Sequence, residues 1–326
     1  MRKWLMLFGA AWIFAAAAWA TNAPTVMLVV GAAGEPEYGS NFVQQVKLWE
    51  QTCSRATART VRIGLGETNT LEDRELLKHA LAAEPTNGIE PLWLVLIGHG
   101  TFDGKEARFN LRGTDVSDAD LSAWLKPFQR PIVVINCASA SAPFLKTLSG
   151  TNRVIVTATR SGNEINFTRF GQYFAKTLAD PSSDLDKDGQ VSLLEAFLIA
   201  SRQVAEFYKT EGRLVTEHAL IDDNADGLGT PADWFRGVRA IKKAEQGASL
   251  DGARANQLHL EISLEDEALP ADVRAKRDIL ELSVAKLRES KARLPEAEYY
   301  RQLEVILLEL ARLQEAPAGI TNKAGK

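Results

Sequence analysis

Leu92-Trp93-Leu94-Val95-Leu96-Ile97-Gly98-His99-Gly100 decides the fold: six apolar residues in unbroken succession, closed by a histidine between two glycines. A run of this kind is apolar on both faces, which suits a buried strand of a parallel sheet better than the alternating strand of a half-solvated one. Runs of the same character lie at residues 25–30, 60–65, 131–135 and 153–158, and amphipathic segments at 41–56, 71–83, 118–125 and 142–148 predict helices between them. Strand alternating with helix places the chain in the α/β class, as an open, mostly parallel sheet flanked by helices on both faces. Chemistry in such sheets gathers at the carboxyl ends of the strands, here the loops after Val30, Leu65, Ile97 and Ile135.

Two of those ends carry reactive residue types. His99 is delivered by a strand into a glycine turn, the setting in which an imidazole is exposed as a general acid or base. Pro131-Ile132-Val133-Val134-Ile135-Asn136-Cys137-Ala138-Ser139 is a second buried run, ending in a thiol. Taken singly, the histidine reads as a turn residue and the cysteine as an inert buried thiol. On adjacent strands, the two would share one crevice as nucleophile and base.

An apolar block ending in His-Gly, followed by another ending in Cys, resembles the clan of cysteine peptidases that holds caspases, legumains and gingipains. The secreted legumain-like peptidases are the most similar. The resemblance covers residues 25–178 and implies a caspase-like sheet and a protein or peptide substrate. It makes Cys137 the nucleophile and His99 the general acid, with the amides of Gly100 and Cys137 as the oxyanion hole. Ser139 and Ser141 fit the legumain pattern, whereas Ile135 and Ala138 stand where legumains carry acids. The same resemblance makes Ser139, Thr159, Ser161 and Glu164 substrate-binding, with Glu164 selecting a basic or amide side chain. Read from the residues alone, Glu164 is equally an acid at a helix N-terminus ahead of Asn166. Gly98-His99-Gly100 after a central strand also suggests an α/β-hydrolase, which the absence of any Gly-x-Ser-x-Gly elbow argues against.

Asp184-Leu185-Asp186-Lys187-Asp188-Gly189-Gln190-Val191-Ser192-Leu193-Leu194-Glu195 has the spacing of an EF-hand calcium loop. Side-chain oxygens fall at Asp184, Asp186, Asp188, Ser192 and Glu195, a backbone oxygen at Gln190, and glycine at the sixth position. The cofactor expected is Ca2+. A weaker echo places ligands at Asp222, Asn224, Asp226, Leu228 (backbone), Thr230 and Asp233, although Pro231 and Gly229 argue against a helix leaving that loop, and a plain turn is the rival reading. His218 reads as structural or solvent-facing, His79 and His259 as surface residues, and Cys53 as a structural thiol.

Composition bounds the rest. The 326 residues, 45% hydrophobic, suffice for one large core or two modest ones. Residues 1–20, with Arg2, Lys3, an apolar stretch and Ala18-Trp19-Ala20, read as a cleavable secretory signal or, failing cleavage, a membrane anchor; the small-x-small ending favours cleavage. Export to the periplasm or the exterior is the expectation, with no stable membrane insertion afterwards. Losing Arg2 and Lys3 takes the net charge from −4 to −6, which argues against general nucleic-acid binding. Residues 21–246 then form the catalytic domain, 247–270 a linker, 271–315 an amphipathic helical hairpin, and 316–326 a flexible tail. The hairpin could dock a partner helix or cover the active face. A catalytically silent calcium-binding interaction module is the competing reading of the whole.

Overall fold

The computed structural model describes residues 23–66, 71–244 and 249–315; the proposed leader at 1–20 and tail at 316–326 lie outside them. Five of the runs become parallel strands, β1 (Thr25–Val30), β2 (Arg59–Ile63), β3 (Leu92–Ile97), β7 (Ile132–Asn136) and β8 (Arg153–Thr157), ordered β2-β1-β3-β7-β8, with all but the edge strand β2 largely buried. Two short antiparallel strands, β9 (Leu220–Asp222) and β10 (Thr230–Pro231), extend the β8 edge to seven strands. The mixed α/β architecture read from the sequence is the observed one. Three features were not legible: a small antiparallel sheet of β4 (Gly100–Phe102), β5 (Ala107–Phe109) and β6 (Val116–Ser117), the β9-β10 extension, and a hairpin of β11 (Phe235–Arg236) with β12 (Arg239–Ala240). Each strand is two or three residues long, too short for a period to register.

Alternation along each strand sorts the core into two layers. Trp93, Val95 and Ile97 of β3 face α1 (Pro36–Arg55), α5 (Phe170–Leu178) and α6 (Leu193–Thr210). Leu92, Leu94 and Leu96 face α2 (Asp73–Ala82), α3 (Asp118–Leu125) and α4 (Ala142–Leu148). A one-residue slip would move every side chain to the wrong layer, and each of these fully buried residues contributes about 1.5–3 kcal/mol, so the register is firmly set. Helix starts follow local chemistry: Pro36 opens α1, and capping boxes of Ser117 with Asp120 and Ser192 with Glu195 open α3 and α6. Among the described residues, no helix is long and apolar enough to cross a membrane.

In the carboxyl-terminal region the expected linker is packed, and of the two roles open to the hairpin the structure does not show the covering one. Residues 249–270 are no loose linker: Asp251, Ala255 and Leu260 are buried, and α7 (Leu264–Ala268) forms within the segment. The helical hairpin of α8 (Ala271–Ser290) and α9 (Glu296–Glu315) does not cover the active face. Arg274 of α8 reaches Glu90, and a cavity of about 780 Å³ separates α8 from Pro24, Pro91, Pro131 and Asn152, the residues immediately before β1, β3, β7 and β8. The hairpin therefore stands at the amino end of the strands, opposite His99 and Cys137.

Candidate active site and cation loops

β3 and β7 are hydrogen-bonded neighbours with Leu96 opposite Asn136, so His99 and Cys137 emerge side by side at the carboxyl end of the sheet. The half-buried His99 ring sits in an aromatic seat, with Tyr38 and Phe42 of α1 at 4.9 and 5.4 Å and Phe167 at 5.9 Å, all edge-on. Its Nε2 lies 3.2 Å from the Ala33 carbonyl. A carbonyl only accepts, so Nε2 carries the proton and Nδ1 is the free basic nitrogen of the neutral ring.

Cys137 is a free thiol only 4% exposed, on the face that packs against α1 and α5. Burial, and secondarily the Glu217 carboxylate, push it up to about 12. Glu217 was missed in the sequence because nothing around it has a recognisable pattern. Its carboxylate accepts hydrogen bonds from the Arg169 and Phe170 amides at the start of α5 and from the Tyr208 hydroxyl, and burial holds its own pKa up. Cys53 is likewise free and buried, as expected of a structural thiol.

The oxyanion hole drawn from the resemblance is not formed. The Cys137 amide donates to the Leu96 carbonyl at 2.9 Å and so extends the sheet ladder. The Gly100 amide donates to Ser139 Oγ, which returns its own proton to the Gly100 carbonyl. Glycine is required at 100 by this packing: an added Cβ would meet the Ser139 carbonyl at 2.4 Å. Ser139 is thus a buried bridge between the two loops.

The other residues expected to bind substrate have the following partners in the structure. Thr159 is fully buried, its hydroxyl meeting Ser141 and the Ala142 amide. Ser161 caps a local turn by accepting from the Asn163 amide. Glu164 is already engaged, 2.6 Å from His218 Nδ1, with the Arg160 and His218 amides on its other oxygen. Since α5 begins at Phe170, Glu164 is not its N-terminal acid either. The open space near His99 lies elsewhere: a cavity of about 390 Å³ with Tyr38, Asn41, Phe167, Arg169, Tyr208 and Arg213 in its wall.

Both acidic loops share one local architecture. In the first, Asp184 accepts from the amides of Lys187 and Gly189; in the second, Asp222 accepts from those of Ala225 and Gly227. The fourth residue of each is left-handed, Lys187 at φ 66° and Ala225 at φ 68°. Carboxylate oxygens of Asp184, Asp186 and Asp188 lie within 4.8 Å of one another. Glu195 closes the first loop: one oxygen accepts from the Leu185 and Asp186 amides, the other from the Ser192 hydroxyl.

In the second loop these contacts fall to Asp251, not to Asp233. Asp251 accepts from the Asp223 and Asn224 amides with one oxygen and from the Thr230 hydroxyl with the other. Asp233 is exposed in a short 3-10 turn, because Pro231 pairs in β10 where an EF-hand would start its helix. Burial and the neighbouring Asp223 push Asp251 up to about 8. No spacing rule could have found it, 29 positions beyond Asp222.

His218 is structural, as expected, through its Glu164 pair, and His79 is exposed. His259 was expected at the surface, yet its side chain is 9% exposed beside the first loop, with Nε2 at 3.7 Å from Asp188 Oδ2.

No family model matches the chain, and no curated protein matches it in sequence. Among solved structures it is similar to the Drosophila initiator caspase Dronc, at 13% identity and a TM-score of 0.44, over 64% of this chain and 81% of that one. At that level the likeness adds no argument to the strand order and site geometry already described.

Proposed function

We propose that this chain is an exported, calcium-stabilised cysteine hydrolase acting on peptide bonds, with Cys137 as nucleophile and His99 as general acid and base. The observation that carries the reading is the delivery of a thiol and an oriented imidazole by adjacent strands to one end of the sheet. In the reaction, the Cys137 sulfur bonds to the scissile carbonyl carbon while His99 Nδ1 takes the thiol proton. That proton passes to the departing amine as the C–N bond breaks, and water then opens the thioester and restores the thiol. Rotation of the Ser139 side chain would release the Gly100 amide to the developing oxyanion, and the cavity bounded by Tyr38, Phe167 and Arg169 would seat a substrate side chain.

Calcium is proposed at both loops, held by Asp184, Asp186, Asp188 and Glu195 in one and by Asp222, Asn224, Asp226 and Asp251 in the other. Its role here is to fix the loops and the 249–266 segment bonded to them; no catalytic step runs through it. The test is cleavage of a peptide library by the wild-type, Cys137→Ser and His99→Ala chains, with calcium or chelator. Turnover abolished in both variants is the expected result; Cys137→Ser cleaving at the wild-type rate would overturn the assignment.

A second reading, a calcium-binding module without activity, is favoured by the buried thiol and the committed amides of Cys137 and Gly100. Its partner would meet α9, where Val305, Leu307 and Leu308 are each about half exposed. No turnover in any condition, with calcium bound, would select it.

A further inference from the structure

The helical hairpin leaves one side of α9 uncovered. Tyr299 is buried, and Leu303, Ile306 and Leu310 are half-buried, on the side of α9 that packs against α8. On the opposite side Val305 and Leu308 are 55% and 50% exposed, with Ala311 exposed beside them. Glu304 and Arg312 flank this apolar strip. Both are exposed, and neither has an ion-pair partner among the described residues, whereas Arg301 is tied to Glu298 of its own helix.

At 3.6 residues per turn, positions 304, 305, 308, 311 and 312 all lie within about 60° of the direction of Leu308. The order along the strip is acid, valine, leucine, alanine, base. Turned end for end about Leu308, the strip becomes its own complement: Glu304 exchanges with Arg312, and Val305 with Ala311. The sequence continues the inversion at 301 and 315, arginine against glutamate.

Two copies of α9 packed antiparallel would therefore set Glu304 against the partner's Arg312 twice, with leucine on leucine at the twofold axis. Packed helices run about 8–10 Å apart, a gap that a glutamate and an arginine side chain bridge. A parallel pair would instead set glutamate against glutamate and arginine against arginine, and that repulsion selects the antiparallel arrangement. A surface complementary to itself is what a twofold contact between identical chains requires, and a foreign partner gives no reason for the inversion.

We propose that α9 is a homodimer interface, joining two copies of this chain antiparallel through Glu304, Val305, Leu308, Ala311 and Arg312. The inference rests on neither the peptidase nor the calcium reading. Because the hairpin stands at the amino end of the strands, the pairing leaves His99 and Cys137 of both copies open.

The test is sedimentation equilibrium of the full chain, wild type and carrying Glu304→Arg, Arg312→Glu or both. The expected result is a dimer whose dissociation constant rises about tenfold or more in each single variant and falls back towards the wild-type value in the double one, where the charges are exchanged and not lost. Leu308→Cys gives a reading independent of charge: mild oxidation should join two chains at 308, whereas Ile279→Cys, on α8 and 64% exposed, should stay unlinked. Circular dichroism checks the fold, and a charge variant that fails to fold leaves the decision to the Leu308 crosslink. A chain that sediments as a monomer up to about 100 μM would overturn the proposal and leave α9 to a different protein. So would a dimer indifferent to both single reversals, a folded double variant no tighter than the single ones, or equal crosslinking at 308 and 279.

Discussion

Replacing Cys137 with alanine should remove a pH dependence that the buried thiol imposes on the whole fold. The thiol stands at about 12 in the folded chain because burial disfavours the thiolate, against about 8.5 when unfolded. The folded pKa is the higher of the two, so the neutral form's stabilisation is complete below about pH 8.5 and is lost as pH climbs towards 12. Each pH unit in that window costs about 1.4 kcal/mol, so between pH 9 and 10.5 the wild type should lose about 2 kcal/mol more than Cys137→Ala. Urea unfolding of both chains at pH 8, 9 and 10.5 measures this, and Cys53, whose thiol burial also raises, is present in both and cancels. Iodoacetamide labelling gives a second measure: at pH 7.5 about one Cys137 in 30,000 is thiolate, against about one in ten for an ordinary thiol. Labelling should be some three thousandfold slower than for an exposed cysteine, with a logarithmic rate that rises without levelling to pH 10. Parallel stability curves for the two chains, or a labelling plateau near pH 8.5, would refute the burial argument.

Three further outcomes follow from the geometry. Asp251→Asn should weaken calcium binding at the second loop while Asp233→Asn leaves it unchanged, read by calorimetric titration; equal effects would restore Asp233 as the ligand. Gly171→Ala should cost about 1–3 kcal/mol in urea unfolding, because its Cβ would sit 2.6 Å from Cys137 Cβ and 2.8 Å from its sulfur. Ending the chain after Pro270 should leave the Cys137 labelling rate unchanged, since α8 and α9 lie at the far end of the strands; faster labelling would mean that the hairpin does shield the thiol.

How much was legible depended on how local each cause was. The strands at 92–97 and 132–136 could be read because burial on both faces needs only an apolar run, and the first acidic loop because its turn is made by its own residues within twelve positions. The partners of Glu164 and Thr159 could not be read, because the sequence does not show which partner a polar side chain finds first. His218 and Ser141 had already taken them.

The sequence by itself determined the α/β class, the strand ends that carry His99 and Cys137, and the acid and glycine pattern of the loops. Each is set by hydrophobic periodicity or by turn chemistry acting over a few residues. Tertiary structure alone decided that Asp251 closes the second loop, that His259 faces Asp188, that the Cys137 and Gly100 amides are committed, and that the hairpin stands away from the thiol. Those outcomes join residues far apart in the chain, and their energies arise from burial and hydrogen-bond satisfaction, which exist only once the layers have packed.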